Sequence, residues 1–393
     1  MPVREWVNAC RDELYALREE LHRHPELSHR EYRTSALIRE QLQAWGIPVL
    51  DFQLDTGVVA RISGGHPGKL LALREDIDAL PIQECTGLPF ASQVPGVSHA
   101  CGHDIHTAAM LGCAKLLAAH REMLHGDVLL VFQCAEECFD GADTMLAHSI
   151  FRHRTPDAVV GFHCAPRIPL GKIAVVEGIA NASCDSITVT VTGKGGHGAH
   201  PDDCIDPVVI SAGLLTQMQT LVSRRNKATD PVVLTFGKIF GGTAPNIIPN
   251  QVTMQGTMRT FDKQVQQFHL KTLQELCTGF CRASGGDCEV KIESSLPPLI
   301  NSPEICRQIE ASARAVLGDD CVSGSPGPSM GSDDFSCMLE ACGGSGAQYL
   351  IGTGLYGSPE TQLGLHVAEN VFPSQALDAA VATLVQFSLD YLA

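Results

Sequence analysis

Residues 127–134 read Asp-Val-Leu-Leu-Val-Phe-Gln-Cys, a nearly unbroken apolar run with no polar face to turn toward water. A strand of this kind must be covered on both sides, so the chain has to build a sheet with layers packed above and below it. The surrounding pattern supplies those layers. Trp6, Leu14, Leu17 and Leu21 are spaced as one face of a helix over residues 3–24, which Pro25 stops; residues 34–45 and 107–120 read as two further helices. Residues 57–62 and 69–74 read as strands flanking the Gly64-Gly65-His66-Pro67-Gly68 turn, and residues 158–162 as another. Strands alternating with helices predict an α/β fold.

The texture changes between residues 184 and 297. Strands at 187–192, 232–239, 251–259 and 288–293, with helices at 207–222 and 265–283, give the order β-α-β-β-α-β of a ferredoxin-like sandwich. After Pro297-Pro298 the α/β texture resumes. At 393 residues the chain is long for one core, and residues with metal chemistry lie both before and after the middle block. The expectation is therefore a catalytic, metal-binding domain over 1–183 and 298–393, with residues 184–297 inserted into it.

With 28 Lys and Arg against 44 Asp and Glu, a formal charge of -16 argues against nucleic acid and anionic membranes as partners and for a small molecule. No stretch is long and apolar enough for a membrane helix, and the first fourteen residues lack a signal-peptide core, so a cytoplasmic location is expected. The 16 cysteines are scattered and read mostly as reduced, buried thiols.

The chemistry concentrates in Ser98-His99-Ala100-Cys101-Gly102-His103-Asp104-Ile105-His106-Thr107-Ala108. Cys101 and His103, two apart in a loop, can converge on one ion, and thiolate with imidazole selects zinc or a neighbouring transition metal. Asp104 and His106 then support the ligands. Taken alone, the same residues equally describe a polar loop capping the next helix. Glu136-Glu137 follows the apolar strand, at the strand end where open α/β sheets place their sites. One glutamate there would bind metal and the other take a proton from water. His163 follows a second apolar run and His366 a glycine-studded loop. Gly193-Lys194-Gly195-Gly196-His197-Gly198 satisfies a dinucleotide-loop pattern, but residues 201–206 intervene before the helix, so its glycines are read as making room for His197 beside a ligand or neighbouring subunit. Asp76 and Asp78, and the acidic turn Met330-Gly331-Ser332-Asp333-Asp334-Phe335, suit either metal support or turn capping.

Together Arg74-Glu75-Asp76-Ile77-Asp78-Ala79-Leu80-Pro81, His99-Ala100-Cys101-Gly102-His103-Asp104, Ala135-Glu136-Glu137, Gly195-Gly196-His197-Gly198-Ala199, Asn246-Ile247-Ile248-Pro249 and the Met330–Phe335 turn resemble the M20 metallopeptidase family. The Cys-Gly-His-Asp form is similar to its amidohydrolase branch of aminoacylases, hippurate hydrolases and auxin-conjugate hydrolases. The resemblance implies a mixed-sheet, zinc-exopeptidase-like catalytic domain and an inserted ferredoxin-like dimerisation (lid) domain. It implies two divalent transition-metal ions (Zn or Mn, with Ni or Co as further options) held by Cys101, His103, Glu137, His163 and His366, with Glu136 as general base and Asp78 supporting the metals. His197 would stabilise the oxyanion, and Asn246 and Arg259 would hold a substrate carboxylate. A homodimer or higher homo-oligomer acting on N-acyl amino acids or peptide-like amides follows. Glu75, where the family commonly has alanine, Asp202 after Pro201, and Cys134 after Gln133 depart from the pattern without touching a ligand.

Three rival readings stay open on the residues: a metal-dependent carboxypeptidase or dipeptidase, a thiol amidase with Cys101 as nucleophile and His103 as base, and a catalytically dead binding protein.

Overall fold

The computed structural model describes residues 2–393. In chain order its helices are α1 (Pro2–Arg23), α2 (Tyr32–Ala44), α3 (His103–Ala119), α4 (Gly141–Ala147), α5 (Pro207–Thr220), α6 (Lys263–Ala283), α7 (Pro303–Leu317), α8 (Phe335–Ala341) and α9 (Ala376–Tyr391). The strands of the two main sheets are β1 (Val49–Leu50), β2 (Val58–Ser63), β3 (His66–Asp76), β4 (His125–Gln133), β5 (Ala158–Pro169), β6 (Ile173–Ala174), β7 (Cys184–Thr192), β8 (Val232–Gly241), β9 (Gln251–Thr260), β10 (Asp287–Leu296) and β11 (Gly346–Gly354).

The chain divides into two compact units. The first holds the residues up to Gly178 with Ile300–Gly327 and Asp334–Ala393; the second holds Ile179–Leu299 with Pro328–Asp333. The acidic turn is thus split, since 328–333 group with the second unit although 298–393 was expected to lie wholly in the first.

In the first unit a seven-stranded sheet runs β1-β2-β4-β3-β5-β11-β6. The β4-β3-β5-β11 centre is parallel and the flanking pairs are antiparallel. The apolar run is β4, and Val128, Leu130, Val131 and Phe132 are fully buried in it. Its core joins α1, α3, α7 and α9 to the strands through Leu14, Met110, Ile309, Val381 and Phe387.

In the second unit β8-β9-β7-β10 form an antiparallel sheet against α5 and α6, the ferredoxin-like arrangement. Alternation decides which side is covered: Ile187, Val189 and Val191 of β7 and Met254 and Met258 of β9 face Leu214, Met218, Leu273 and Cys277 of the helices.

Two local expectations need correction. α3 begins at His103, four residues before the expected start, because Gly102 takes a left-handed φ of 90° and turns the chain straight into the helix. His103, Asp104 and His106 therefore sit on its first turns, not in a loop. β5 does not stop before His163; it continues to Pro169 because β11 pairs alongside it, so His163 lies within a strand.

Candidate metal centre

The centre is built where β3 and β4 end, beside the middle of β5 and the start of α3. Cys101 and His103 flank the Gly102 turn; Glu136 and Glu137 open a single 3-10 turn after β4, entered through Ala135 at φ 54°. His163 comes from β5. His366 comes from the loop after β11, has φ 60°, and donates its N–H to the Ala100 carbonyl at 2.9 Å, tying that loop to the cysteine segment.

The five side chains converge. Donor atoms of Cys101, His103 and His163 lie within 4.8 Å of one another, as do those of Cys101, Glu137 and His366, and those of His103, Glu136 and Glu137. Cys101 belongs to two of these groups, and its Sγ is 3.5 Å from His163 Nε2. His366 Nε2 approaches Glu137 Oε1 at 3.3 Å.

A second layer fixes which atoms face inward. His163 Nδ1 donates to the Cys164 carbonyl at 2.9 Å, leaving the Nε2 lone pair toward Cys101. His103 Nδ1 meets two acceptors of Asp78, the carbonyl at 3.0 Å and Oδ1 at 3.2 Å, and so carries a proton. The other carboxylate oxygen of Asp78 accepts from the Glu137 N–H at 3.0 Å and from Ser28 at 2.7 Å. His106 is fully committed: Nδ1 donates to Asp76 at 2.5 Å and Nε2 accepts from the Cys164 N–H. It stands beside the donors without offering one.

Residues without an individual role in the sequence reading complete the frame. Arg74, buried, binds Gln133, Asp76 and Asp334 through its three nitrogens at 2.7–2.8 Å, and Glu31 Oε1 accepts the Ala135 N–H at 2.8 Å. Arg74 stood in the quoted Arg74–Pro81 motif without a role of its own, and Glu31 carried no sequence signal beyond its charge.

Electrostatically the cluster has an excess of negative charge in a dry place. Burial alone would lower His103, but Asp76, Asp78 and Glu137 outweigh it and raise its pKa to about 10. Burial, reinforced by Glu137, Glu136 and Asp76, pushes the Cys101 thiol well above its ordinary range. That weakens the thiol-amidase reading, because the nucleophile there is a thiolate. A cation reverses both pressures. The fit is direct: His103 Nε2 and Glu137 Oε1 are buried with no hydrogen-bond partner, an arrangement a bound ion satisfies. Sulfur, imidazole and carboxylate together suit zinc or a neighbouring transition metal.

His197, Asn246 and Arg259 are carried by the second unit. His197 is exposed and its Nδ1 accepts the Ala199 N–H at 3.1 Å; Asn246 is exposed and its carbonyl accepts the Gly198 N–H at 2.9 Å. The Arg259 guanidinium donates to the Met330 carbonyl at 2.7 Å and Ser332 Oγ at 3.3 Å.

The family model of peptidase family M20/M25/M40 matches residues 72–390. Among similar relatives, N-acetylcysteine deacetylase of Bacillus subtilis is 40% identical over 83% of this chain and 85% of its own length. N-acyl-L-amino acid amidohydrolase of Geobacillus stearothermophilus is 38% identical over 77% and 81%. Among solved structures, a dinuclear metal-binding peptidase of family M20 from Bacillus subtilis superposes with a TM-score of 0.82 at 33% identity, covering 98% of this chain and 99% of that one.

Proposed function

Because the chain belongs to peptidase family M20/M25/M40, we infer that its buried donor cluster serves a metal-dependent amidohydrolase that releases the acyl group from N-acyl amino acids. The names of the two relatives, one a deacetylase and one an amidohydrolase, support this substrate class over a peptidase role. The observation that carries the reading is the pair of buried atoms that make no hydrogen bond, His103 Nε2 and Glu137 Oε1, among the donors of Cys101, His163 and His366 and beside Glu136.

Cys101, His103, Glu137, His163 and His366 would hold two divalent ions, zinc or manganese before nickel or cobalt. Such ions supply Lewis acidity, polarising a carbonyl and making water a stronger acid. Glu136 takes the proton from the attacking water as it adds to the amide carbonyl carbon, then hands it to the departing amine nitrogen. Asp78 fixes the His103 ring and the backbone of Glu137. His197 stabilises the oxyanion by donating a hydrogen bond to it. Asn246 and Arg259 hold the free carboxylate of the substrate, chemically apt for an amide and a guanidinium. A cytoplasmic location is part of the same proposal, since most of the chain's cysteines are buried thiols scattered through the cores, as in Cys113, Cys134, Cys164 and Cys277. The exposed apolar edge of β8 supports a homodimer.

Glu136→Gln tests the assignment. It should keep both ions, measured by elemental analysis, and lose about 10²–10⁴-fold in kcat on an N-acetyl, N-benzoyl and N-indoleacetyl amino acid panel. Turnover close to wild type in that variant sinks the base assignment, and a metal-replete wild-type protein inert on the whole panel sinks the substrate class.

A further inference from the structure

β3 and β5 pair only as far as Leu73 and Val160. Past that point β3 keeps β4 as its neighbour to Asp76, and β5 keeps β11 to Ala165 and beyond. The sheet therefore splits between two strands that each remain held on the outer side. Amide groups two residues apart on a strand point the same way, so the N–H groups of Phe162 and Cys164 follow Val160 toward the split. Buried donors there need acceptors that β3 no longer supplies.

Two side chains supply them. Glu75 Oε1, from β3, accepts the Phe162 N–H at 2.9 Å, and His106 Nε2, from α3, accepts the Cys164 N–H at 3.0 Å. Both side chains are buried. They sit side by side without bonding to each other: Glu75 Oε2 lies 4.0 Å from His106 Nδ1, whose proton goes to Asp76, and the His106 ring meets the Phe162 ring edge-on at 5.0 Å. Asp76, anchored by Arg74, holds the far nitrogen of His106. His163 lies between the two captured N–H groups, with its own Nδ1 bonded to the Cys164 carbonyl.

We propose that Glu75 and His106 are positioning residues that replace the missing β3–β5 hydrogen bonds and so aim the His163 imidazole at the metal centre. This rests on the reading of His163 as a ligand. Glu75, a carboxylate buried at the end of β3, holds one side of the opening in which the ligand sits. The sheet splits and His163 remains fixed because side chains, not backbone, close the gap.

The test is cobalt(II) binding to the full-length protein, with affinity read by chelator competition and geometry by the visible spectrum. Glu75→Leu, which removes the acceptor at similar bulk, should weaken one of the two ions by about 10–100-fold and alter the cobalt bands. Glu75→Gln, whose amide oxygen still accepts the Phe162 N–H, should stay within about three-fold of wild type and keep the spectrum, well short of the loss expected for a missing supporting partner. E75L binding both ions with wild-type affinity and spectrum overturns the proposal, as does E75Q falling as far as E75L. His163→Ala separates this from the ligand assignment: if H163A keeps both ions at full affinity, the ligand reading fails whatever E75L does. Should E75L not fold, E75A is read by the same thresholds. If neither folds, Glu75 is needed by the unit as a whole and its specific positioning role is overturned.

Discussion

Asp104 is one residue beyond a proposed ligand, yet its carboxylate turns away from the centre. Oδ2 accepts from Arg18 Nε at 2.6 Å and from His22 Nδ1 at 2.8 Å, and the other nitrogen of His22 meets Glu84 at 3.1 Å. All four side chains are buried. Burial by itself would raise the Glu84 carboxyl, but hydrogen bonds from His22, Thr86 and the Ser92 N–H bring it down to about 2 from an ordinary 4.5. Burial likewise opposes the charged His22, and Asp104 overcomes it, so His22 is raised. The signs are opposite. Glu84 stabilises the fold fully above its ordinary 4.5, and that contribution is lost as pH falls toward about 2. His22 contributes below its ordinary 6.5 and loses its contribution as pH rises through its raised value. Urea midpoints measured against pH should therefore fall on the acid side of 4.5 in wild type and fall less steeply in Glu84→Gln. Identical acid limbs in the two proteins would rule out Glu84 as a source of that slope.

At the scale of elements, α6 depends on a cap that local sequence makes plain. Asp262 accepts from the Gln264 and Val265 N–H groups at 2.7 and 2.9 Å, and the helix buries Leu273, Cys277 and Cys281 against the second sheet. Asp262→Ala should cost about 1 kcal/mol and Asp262→Ser much less, read from chemical denaturation; equal losses would show that the carboxylate does not act as a cap. The sheet and helices of the second unit were legible, though not its share of 328–333, because their order and alternation are local properties: β7 alternates inward Ile187, Val189 and Val191, and the helices follow at ordinary loop spacing. The centre was legible where its residues carry unusual chemistry, as in Cys101, His103 and Glu136-Glu137. It was illegible where long-range pairing decides the geometry. Nothing near His163 shows that β11, nearly two hundred residues on, extends β5 past it. Nor does local pattern reveal that Glu31 holds the Ala135 turn or that Asp334 receives Arg74 across 260 residues.

For the whole molecule, two questions follow from the separation into two cores. The proposed dimer concerns the second: β8 is an edge strand whose Ile239 and Phe240 are more than half exposed. Charges on such an edge block strand-to-strand association, so Ile239→Lys with Phe240→Glu should shift the sedimentation mass from dimer to monomer, and a monomeric wild type would refute the dimer directly. The first unit carries the proposed metal donors, and no residue of one apolar cluster belongs to the other. Ions that bind only the folded state stabilise what they bind, by about 2.7 kcal/mol for each site held at a hundred times its Kd. In the first unit the proposed ions would also offset the charge of Glu136 and Glu137, so their removal leaves these two carboxylates and the Cys101 thiol with less compensating charge in a largely buried place. Chelation should accordingly raise amide exchange in β4 and β5 while β7 and β9 keep their protection, and added zinc or manganese should restore the difference. A uniform rise across both units would show that they unfold as one cooperative body. Unchanged exchange in β4 and β5 would instead mean that the donor cluster holds no ion of structural consequence.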